Sequence, residues 1–519
     1  MVRRPAPSRG MNRVSDSAPW KAMIGGWRTD VTIADMPKDA AYQLDNFFPE
    51  SNRIRARYGS TLWATGMGST VQTIIPYSGA TNKLFAAAGS NIYDISGTGV
   101  ASLVLAGQIG SRWSVQQYTN AGGSFLRLVN GLDPPLLYDG TTWTTTAITG
   151  TGLTSSNLSV VVAYRSRLWF IEKNTTKIWY LATDAVSGAA TSFPVGGSMK
   201  YGGVLVAMGV WSIPVQTGIT QCLVLISSEG EVIVYQGSDP TTASGFTLLG
   251  TFKLGKPLGY DRCLLNVGAD LAIMTTDGII PITKAVQLDR GATDLGSITA
   301  KIAPTWLQTL TDVGTSSDQW QLLGFPRRRM AIVNLPDTAG PTQYVMNTET
   351  GAWCRFIGLP STCWGTWQDR VFFGTAIGNV VEAEVGSNDT GNPIDCLAVG
   401  AWQTFGDGIS PKYATMIGAN LQSGTSTNFY LGVSVDYSVS IPQALANLLP
   451  TSNPAKWDVS LWDQSYFVGT NTGRKDATAV AVGVALAPVI RAQISGDSST
   501  ISEAGVVGGT ILFQKGQPV

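Results

Sequence analysis

The chain has 519 residues, with 35 Lys+Arg against 35 Asp+Glu, 13% charged residues and no histidine. Without an imidazole, Ser-His-Asp and Cys-His nucleophile pairs, histidine-ligated metals and histidine pH switches are excluded. The zero net charge removes a global basic field for steering onto nucleic acid, while 44% apolar content and 59 glycines describe a folded, turn-rich chain.

Residues 1–24, rich in Arg, Pro and Ser, read as a flexible N-terminal arm; their basic start lacks the apolar core of a signal peptide. Within 25–64, Asp35 to Phe48 carries a capping Asp, a first-turn Pro and apolar Ala40, Ala41, Leu44, Phe47 and Phe48, which predicts a short amphipathic helix.

From residue 65 the texture changes to short apolar runs broken by Gly, Asn or Asp. Seven strand-turn-strand hairpins are read at Leu84–Asp94, Phe125–Tyr138, Leu168–Tyr180, Leu223–Tyr235, Leu271–Ile282, Met330–Met346 and Val371–Val381. Their spacing from Gly89 to Gly378 averages about 48 residues, near the period of propeller blades. Trp143 and Trp353, each placed just after an outer turn, are expected between neighbouring blades. Insertions are expected near 240–250 and 291–317, the second holding a helix from Pro304 to Leu310.

Beyond Gly386–Pro393 the strands lengthen, as at Asn428–Tyr437 and Ala479–Ala487. The expected architecture is therefore all-β: an irregular β-propeller of about six to seven blades over 65–390, then a C-terminal β-sandwich over 391–519. No apolar run approaches the roughly 18 residues of a membrane-spanning helix, so no integral membrane segment is expected.

Candidate chemistry is sparse. Cys222, Cys263, Cys354, Cys363 and Cys396 are odd in number without CxxC spacing, and read as buried, reduced thiols. Asp94, Asp139, Glu229, Asp277 and Glu349 fall at turns, where acidic residues are commonplace. Gly505–Gly509 lacks the lysine of a phosphate loop, and Asn388–Asp395 does not fit a calcium loop. No catalytic, metal or cofactor-binding residue and no cofactor is assigned, and the chain is read as not an enzyme. Arg327, Arg328 and Arg329 precede a strand, whose alternation keeps them off a single phosphate track. They are candidates for an interface, a solvated hairpin tip or a DNA contact.

One segment carries a family pattern: Gly25, Gly26 and Trp27, then Met36 and Pro37, Leu44, Asn46 and Pro49, and Gly59. It resembles the opening of the nozzle proteins of short-tailed bacteriophages, also called tail tubular protein B or tail-hub proteins, with Arg28 where that family has Asn. Trp457–Asp463 agrees more loosely. The resemblance implies a structural virion protein, a homohexamer at the distal end of the tail, assembled in the host cytoplasm. It also implies an adaptor (head-to-tail) ring as partner, tail fibres or spikes docked on it, and phage DNA passing without sequence-specific binding during ejection. Two other readings stay open: a carbohydrate-binding or glycosidase-type propeller acting in receptor recognition, and a neck or head-completion ring protein.

Overall fold

The protein is described from a computed structural model covering residues 15–516 apart from 216–217, 243, 288–295, 316–317, 337, 339, 424–426, 443–470, 497–500 and 502. The expected element at Trp457–Asp463 lies outside the described residues. The chain forms two compact units, one from Tyr58 to Thr390 and one from the segments on either side of it.

The first unit is a seven-bladed β-propeller. Each blade is an antiparallel meander that starts at the axis and runs outward. The innermost strands are, in order, Val71–Tyr77, Ser114–Asn120, Leu158–Tyr164, Leu205–Val215, Leu264–Val267, Gln321–Phe325 and Cys363–Trp367. All seven hairpins read from the sequence are the second and third strands of successive blades, for instance Lys83–Ala88 with Asn91–Asp94 in blade one and Arg370–Gly374 with Val380–Ala383 in blade seven. These strands are buried on both faces between neighbouring blades, so their sequences are near-continuous apolar runs with a tight turn between them.

Closure joins the two ends of the unit. The outer strand of blade seven is Ser60–Thr65, antiparallel to Val380–Ala383 and supplied from before blade one. Gly99–Val100 then lies parallel to that strand before the chain returns to blade one through Ser102–Ala106. A circular array sealed by strands from both ends resists unzipping at the seam, and it begins at Tyr58 rather than near residue 65.

Aromatic side chains fill the gaps between blades. Phe85 of blade one meets Tyr138 and Trp143 of blade two at 5.0 and 5.1 Å between ring centroids. Trp353 is fully buried and donates through Nε1 to the Ile298 carbonyl at 3.1 Å. Residues 240–250 are not an insertion: Phe246–Lys253 is the outer strand of blade four, and Phe246 stacks on Trp169 of blade three at 5.1 Å. The second expected insertion does contain a helix, Ala303–Val313, with Pro304 in its first turn and Trp306 buried. Blade five has three strands and continues into a short helix, Ile282–Gln287, which no helical spacing in the sequence announces.

The second unit is a sandwich of two sheets. One runs in the order Asn471–Gly483, Lys412–Ser423, Ala504–Lys515, Ile54–Ala56, Phe47–Pro49, with Ser15–Lys21 also paired to Ala504–Lys515. The other runs Gly26–Trp27, Ala40–Asp45, Ile394–Gly400, Leu486–Ile494, Thr427–Val435. The segment before the propeller therefore supplies strands to both sheets, and Ser15–Lys21 is a strand where an unstructured arm was expected; residues 1–14 lie outside the described residues.

Two readings are corrected here. Asp35–Phe48 is not a helix: a 3-10 turn at Ile33–Asp35 leads into Ala40–Asp45, whose antiparallel partner Ile394–Gly400 is distant in sequence, and Asn46 ends that strand at φ 56° before Phe47–Pro49. Non-local pairing overrides a spacing that also suits a helix. Ala479–Ala487 is likewise two strands meeting at a turn, where the Asp436 carboxylate accepts the Val484 and Ala485 amides at 2.7 and 3.0 Å.

Candidate functional site: the propeller axis

The innermost strands have a paired outer edge and a free edge facing the axis, so the axis collects backbone groups and side chains from remote parts of the chain. Ser114, Val115 and Gln116 of blade two, Val160–Ala163 of blade three, Met208–Val210 of blade four and Asp261, Leu264 and Asn266 at blade five line a chamber of about 400 Å³.

A 3-10 turn, Tyr260–Cys263, enters blade five and ties this chamber to the far side of the ring. Arg262 donates from Nη2 to the Gln72 carbonyl at 2.7 Å and to Thr73 Oγ1 at 3.0 Å, both in blade one. Arg112, just before the first strand of blade two, donates to the Gly259 carbonyl at 2.8 Å and pairs with Asp261 at 2.7 Å. Blades one and two are not neighbours of blade five in a seven-membered ring, so these bonds span the axis. The turn sits close against blade six: at Gly259 (φ 78°) a Cβ would lie 2.0 Å from the Trp320 carbonyl oxygen, so only glycine fits.

Several polar side chains at the axis join neighbouring blades. Thr73 Oγ1 donates to the Ser111 carbonyl at 2.8 Å and accepts the Trp113 amide at 2.9 Å, joining blades one and two. Ser114 Oγ accepts the Val161 amide at 3.2 Å, joining blades two and three. Gln321 exchanges two 2.8 Å bonds with the Trp364 backbone, joining blades six and seven. Burial, with the neighbouring Arg112 guanidinium, lowers the pKa of Arg262, and burial pushes the Cys263 and Cys363 thiols up, away from the thiolate form a nucleophile needs. All five cysteines are buried and free, as read from the sequence. What this arrangement does best is hold seven blades in a fixed ring around a small polar chamber.

Sequence reasoning did not single out Gln72, Thr73, Arg112, Asp261 or Arg262. They share no local motif, and only the ring closure brings them together.

The residues that the sequence did single out lie at turns, in buried positions and at a hairpin tip. Gly25 and Gly26 make the turn into Trp27: the Gly25 amide donates to the Asp39 carbonyl at 2.7 Å, and Gly26 has φ 78°. Gly26–Trp27 then runs parallel to Ala40–Ala41. Met36 packs on Ala40 and Ala401, Pro37 accepts the Ala40 amide, and Leu44 and Pro49 are buried. Asn46 forms the corner of the second unit: its Nδ2 donates to the Asp395 carbonyl at 2.8 Å, and its Oδ1 accepts Arg57 Nε at 2.8 Å. Gly59 belongs to the propeller, where a Cβ would lie 2.0 Å from the Asn388 carbonyl oxygen.

Arg327, Arg328 and Arg329 occupy the tip of the first hairpin of blade six, as a 3-10 turn ending in the left-handed Arg329 (φ 56°). They diverge. Arg327 donates to the Asp369 carbonyl at 3.2 Å, Arg328 lies 4.4 Å over the Tyr58 ring, and Arg329 pairs with Glu349. Among the turn carboxylates, Asp139 is held well below the usual range by the Thr142 and Thr141 backbone amides and hydroxyls, and Asp94 pairs with Lys83 at 2.8 Å. Among the described residues no group of three Cys, Asp or Glu could hold a metal ion, and no helix is long and apolar enough to cross a membrane.

No family model and no curated protein matches the chain. Among solved structures it is similar to the WD40 β-propeller domain of Doa1 (11% identity, TM-score 0.41, 63% of this chain and 97% of that one). It is also similar to Saccharomyces cerevisiae Sqt1 (10%, 0.38, 63% and 98%) and to the extracellular domain of the one-component system BT4673 of B. thetaiotaomicron (12%, 0.40, 74% and 50%).

Proposed function

We propose that this chain is a structural virion protein, the nozzle of a short phage tail. It works as a homohexameric ring assembled in the host cytoplasm, joined to an adaptor ring, presenting docking surfaces for fibres or spikes, and gating DNA at ejection. The observation that carries the reading is the signature Gly25, Gly26, Trp27, Met36, Pro37, Leu44, Asn46, Pro49 and Gly59, whose members turn, bury or brace backbone and so serve architecture rather than ligand chemistry.

The axis of the propeller constrains how such a nozzle would work. The chamber on that axis has a volume of only about 400 Å³. Cross-axis bonds from Arg112 and Arg262 obstruct it further. DNA would therefore pass between copies of the chain, around a ring axis, and each propeller would serve as a rigid wall block. Equal numbers of basic and acidic residues suit a lumen that does not grip phosphates.

Electron microscopy of the purified protein and of virions tests this. A six-fold ring on the tail axis is expected; a monomer, a peripheral trimer or a ring at the neck overturns it. Retention or hydrolysis of a glycan on a screening panel would favour the receptor-recognition reading instead.

A further inference from the structure

Arg127 lies in Gly123–Val129, the second strand of blade two. Leu126 and Leu128 pack with Phe85 and Ile92 of blade one, whereas Val129 packs with Leu158, Phe170 and Trp179 of blade three. By strand alternation Arg127 points with Val129 into the interface of blades two and three. No part of it reaches solvent. Its Nη2 donates to the Thr146 carbonyl at 2.7 Å, while Nε and Nη1, also buried, have no hydrogen-bond partner.

Carboxylates in the same interface are engaged elsewhere: Glu172 accepts Trp179 Nε1 at 3.0 Å, and Asp184 accepts the Tyr118 hydroxyl at 3.1 Å. Burial alone lowers the pKa of Arg127, to about 10, so the group is still a cation at neutral pH. An unpaired cation in an apolar interface is strongly unfavourable unless a counter-charge accompanies it.

We propose that the interface of blades two and three binds a small monovalent anion of halide size, seated against the guanidinium of Arg127. A buried water would fill a donor site but leave the charge uncompensated. An anion does both, filling the donor site and compensating the charge through a charge-assisted bond stronger than a neutral one. A monatomic ion needs about the room of one water, whereas phosphate or a carboxylate side chain would have to part the packed faces around Val129, Phe170 and Trp179. The site adds a property to the propeller that the proposed virion role does not contain: cohesion of two blades that depends on halide concentration.

Crystals of the full chain grown in sodium bromide provide the direct test. The expected result is an anomalous peak within about 3.5 Å of the Arg127 guanidinium nitrogens. Bromide confined to surface positions, or a water alone beside Arg127, overturns the proposal. Thermal unfolding gives the second reading. Raising chloride from about 10 to about 300 mM, with gluconate holding ionic strength constant, should lift the melting temperature on the order of 2 °C. In Arg127→Met the lift should vanish. A wild-type melting temperature equal in chloride and gluconate overturns the proposal, and so does an Arg127→Met variant that keeps the full lift. Should Arg127→Met fail to fold, the bromide map of the wild-type protein decides.

Discussion

Lys412 opens a twelve-residue strand of the sandwich with no exposed surface, and its ammonium donates to three backbone carbonyls, those of Asp407 at 2.6 Å, Val484 at 2.7 Å and Ser410 at 3.3 Å. Three carbonyls saturate the donors of an ammonium, so its hydrogen bonds go to backbone, while the Asp407 and Asp436 carboxylates also favour the charge. Lys412→Met keeps most of the stem but strands the carbonyls, and should cost about 3 kcal/mol in urea unfolding of the full chain. The turn that presents two of these carbonyls is itself held by the Asp407 carboxylate, which accepts the Ser410 and Ile409 amides at 2.9 and 3.1 Å. Those amides, Ser410 first, hold its pKa down at about 2. A depressed carboxylate stabilises the fold fully above its ordinary value of about 4, and that contribution is lost as pH falls through about 2. Hydrogen exchange at 404–412 should therefore speed up as pH drops across that window, after correction for intrinsic rates. In Asp407→Asn, which keeps an acceptor but cannot titrate, protection should be flat there; a wild-type profile equally flat would show that the carboxylate does not hold the turn.

At the scale of elements, the legibility of a strand in the sequence depends on where the strand faces. The middle strands of every blade touch a neighbour on both sides, and their runs, such as Leu168–Ile171 and Leu223–Ile226, were legible for that reason. The innermost strand Ser114–Asn120 turns one edge to the axis and carries Gln116, Gln117 and Thr119, leaving no apolar signal. The same applies to the exposed Gly188–Pro194 at the rim of blade three. The axial arginines were invisible because Arg112 and Arg262 lie 150 positions apart and meet only across the closed ring. Closure itself rests on a strand, Ser60–Thr65, separated from its partner by the whole propeller. On it Trp63 stands edge-on to Phe372 at 5.4 Å, lies beneath the Arg370 guanidinium at 4.3 Å and donates to the Ile95 carbonyl at 2.8 Å. Arg370 in turn grips Glu382, its Nε donating at 2.6 Å. Trp63→Ala removes all three contacts at the seam and should cost about 3 kcal/mol, measured as a lowered urea midpoint. Arg370→Ala loses the partly buried ion pair with Glu382 and its contacts with the Trp63 and Phe372 rings but creates no large cavity, and should cost about 1–2 kcal/mol. Equal losses in the two variants would place the seam's stability in the ion pair rather than in the ring.

At the scale of the whole molecule, the order of the chain and the order of the fold differ. The propeller is one continuous stretch, whereas the sandwich is built from the two flanking segments of the chain. Ser15–Lys21, Phe47–Pro49 and Ile54–Ala56 enter one sheet, Gly26–Trp27 and Ala40–Asp45 the other, so a fragment beginning at Gly391 lacks five strands. A propeller inserted in this way keeps its own closure only if the cut respects the seam. A fragment of residues 58–390 retains Ser60–Thr65 and should fold as a monomeric disc with a cooperative thermal transition. A fragment of residues 66–390 loses that strand, exposing the edge of Val380–Ala383 and one face of Phe372, an open apolar edge of the kind that recruits other strands. It should elute as aggregate or refold poorly, even though it is only slightly shorter and retains every hairpin read from the sequence. If the shorter fragment were as soluble and as cooperative as the longer one, the ring would be closed by packing between blades alone, and the strand shared between its two ends would be an accessory to the fold.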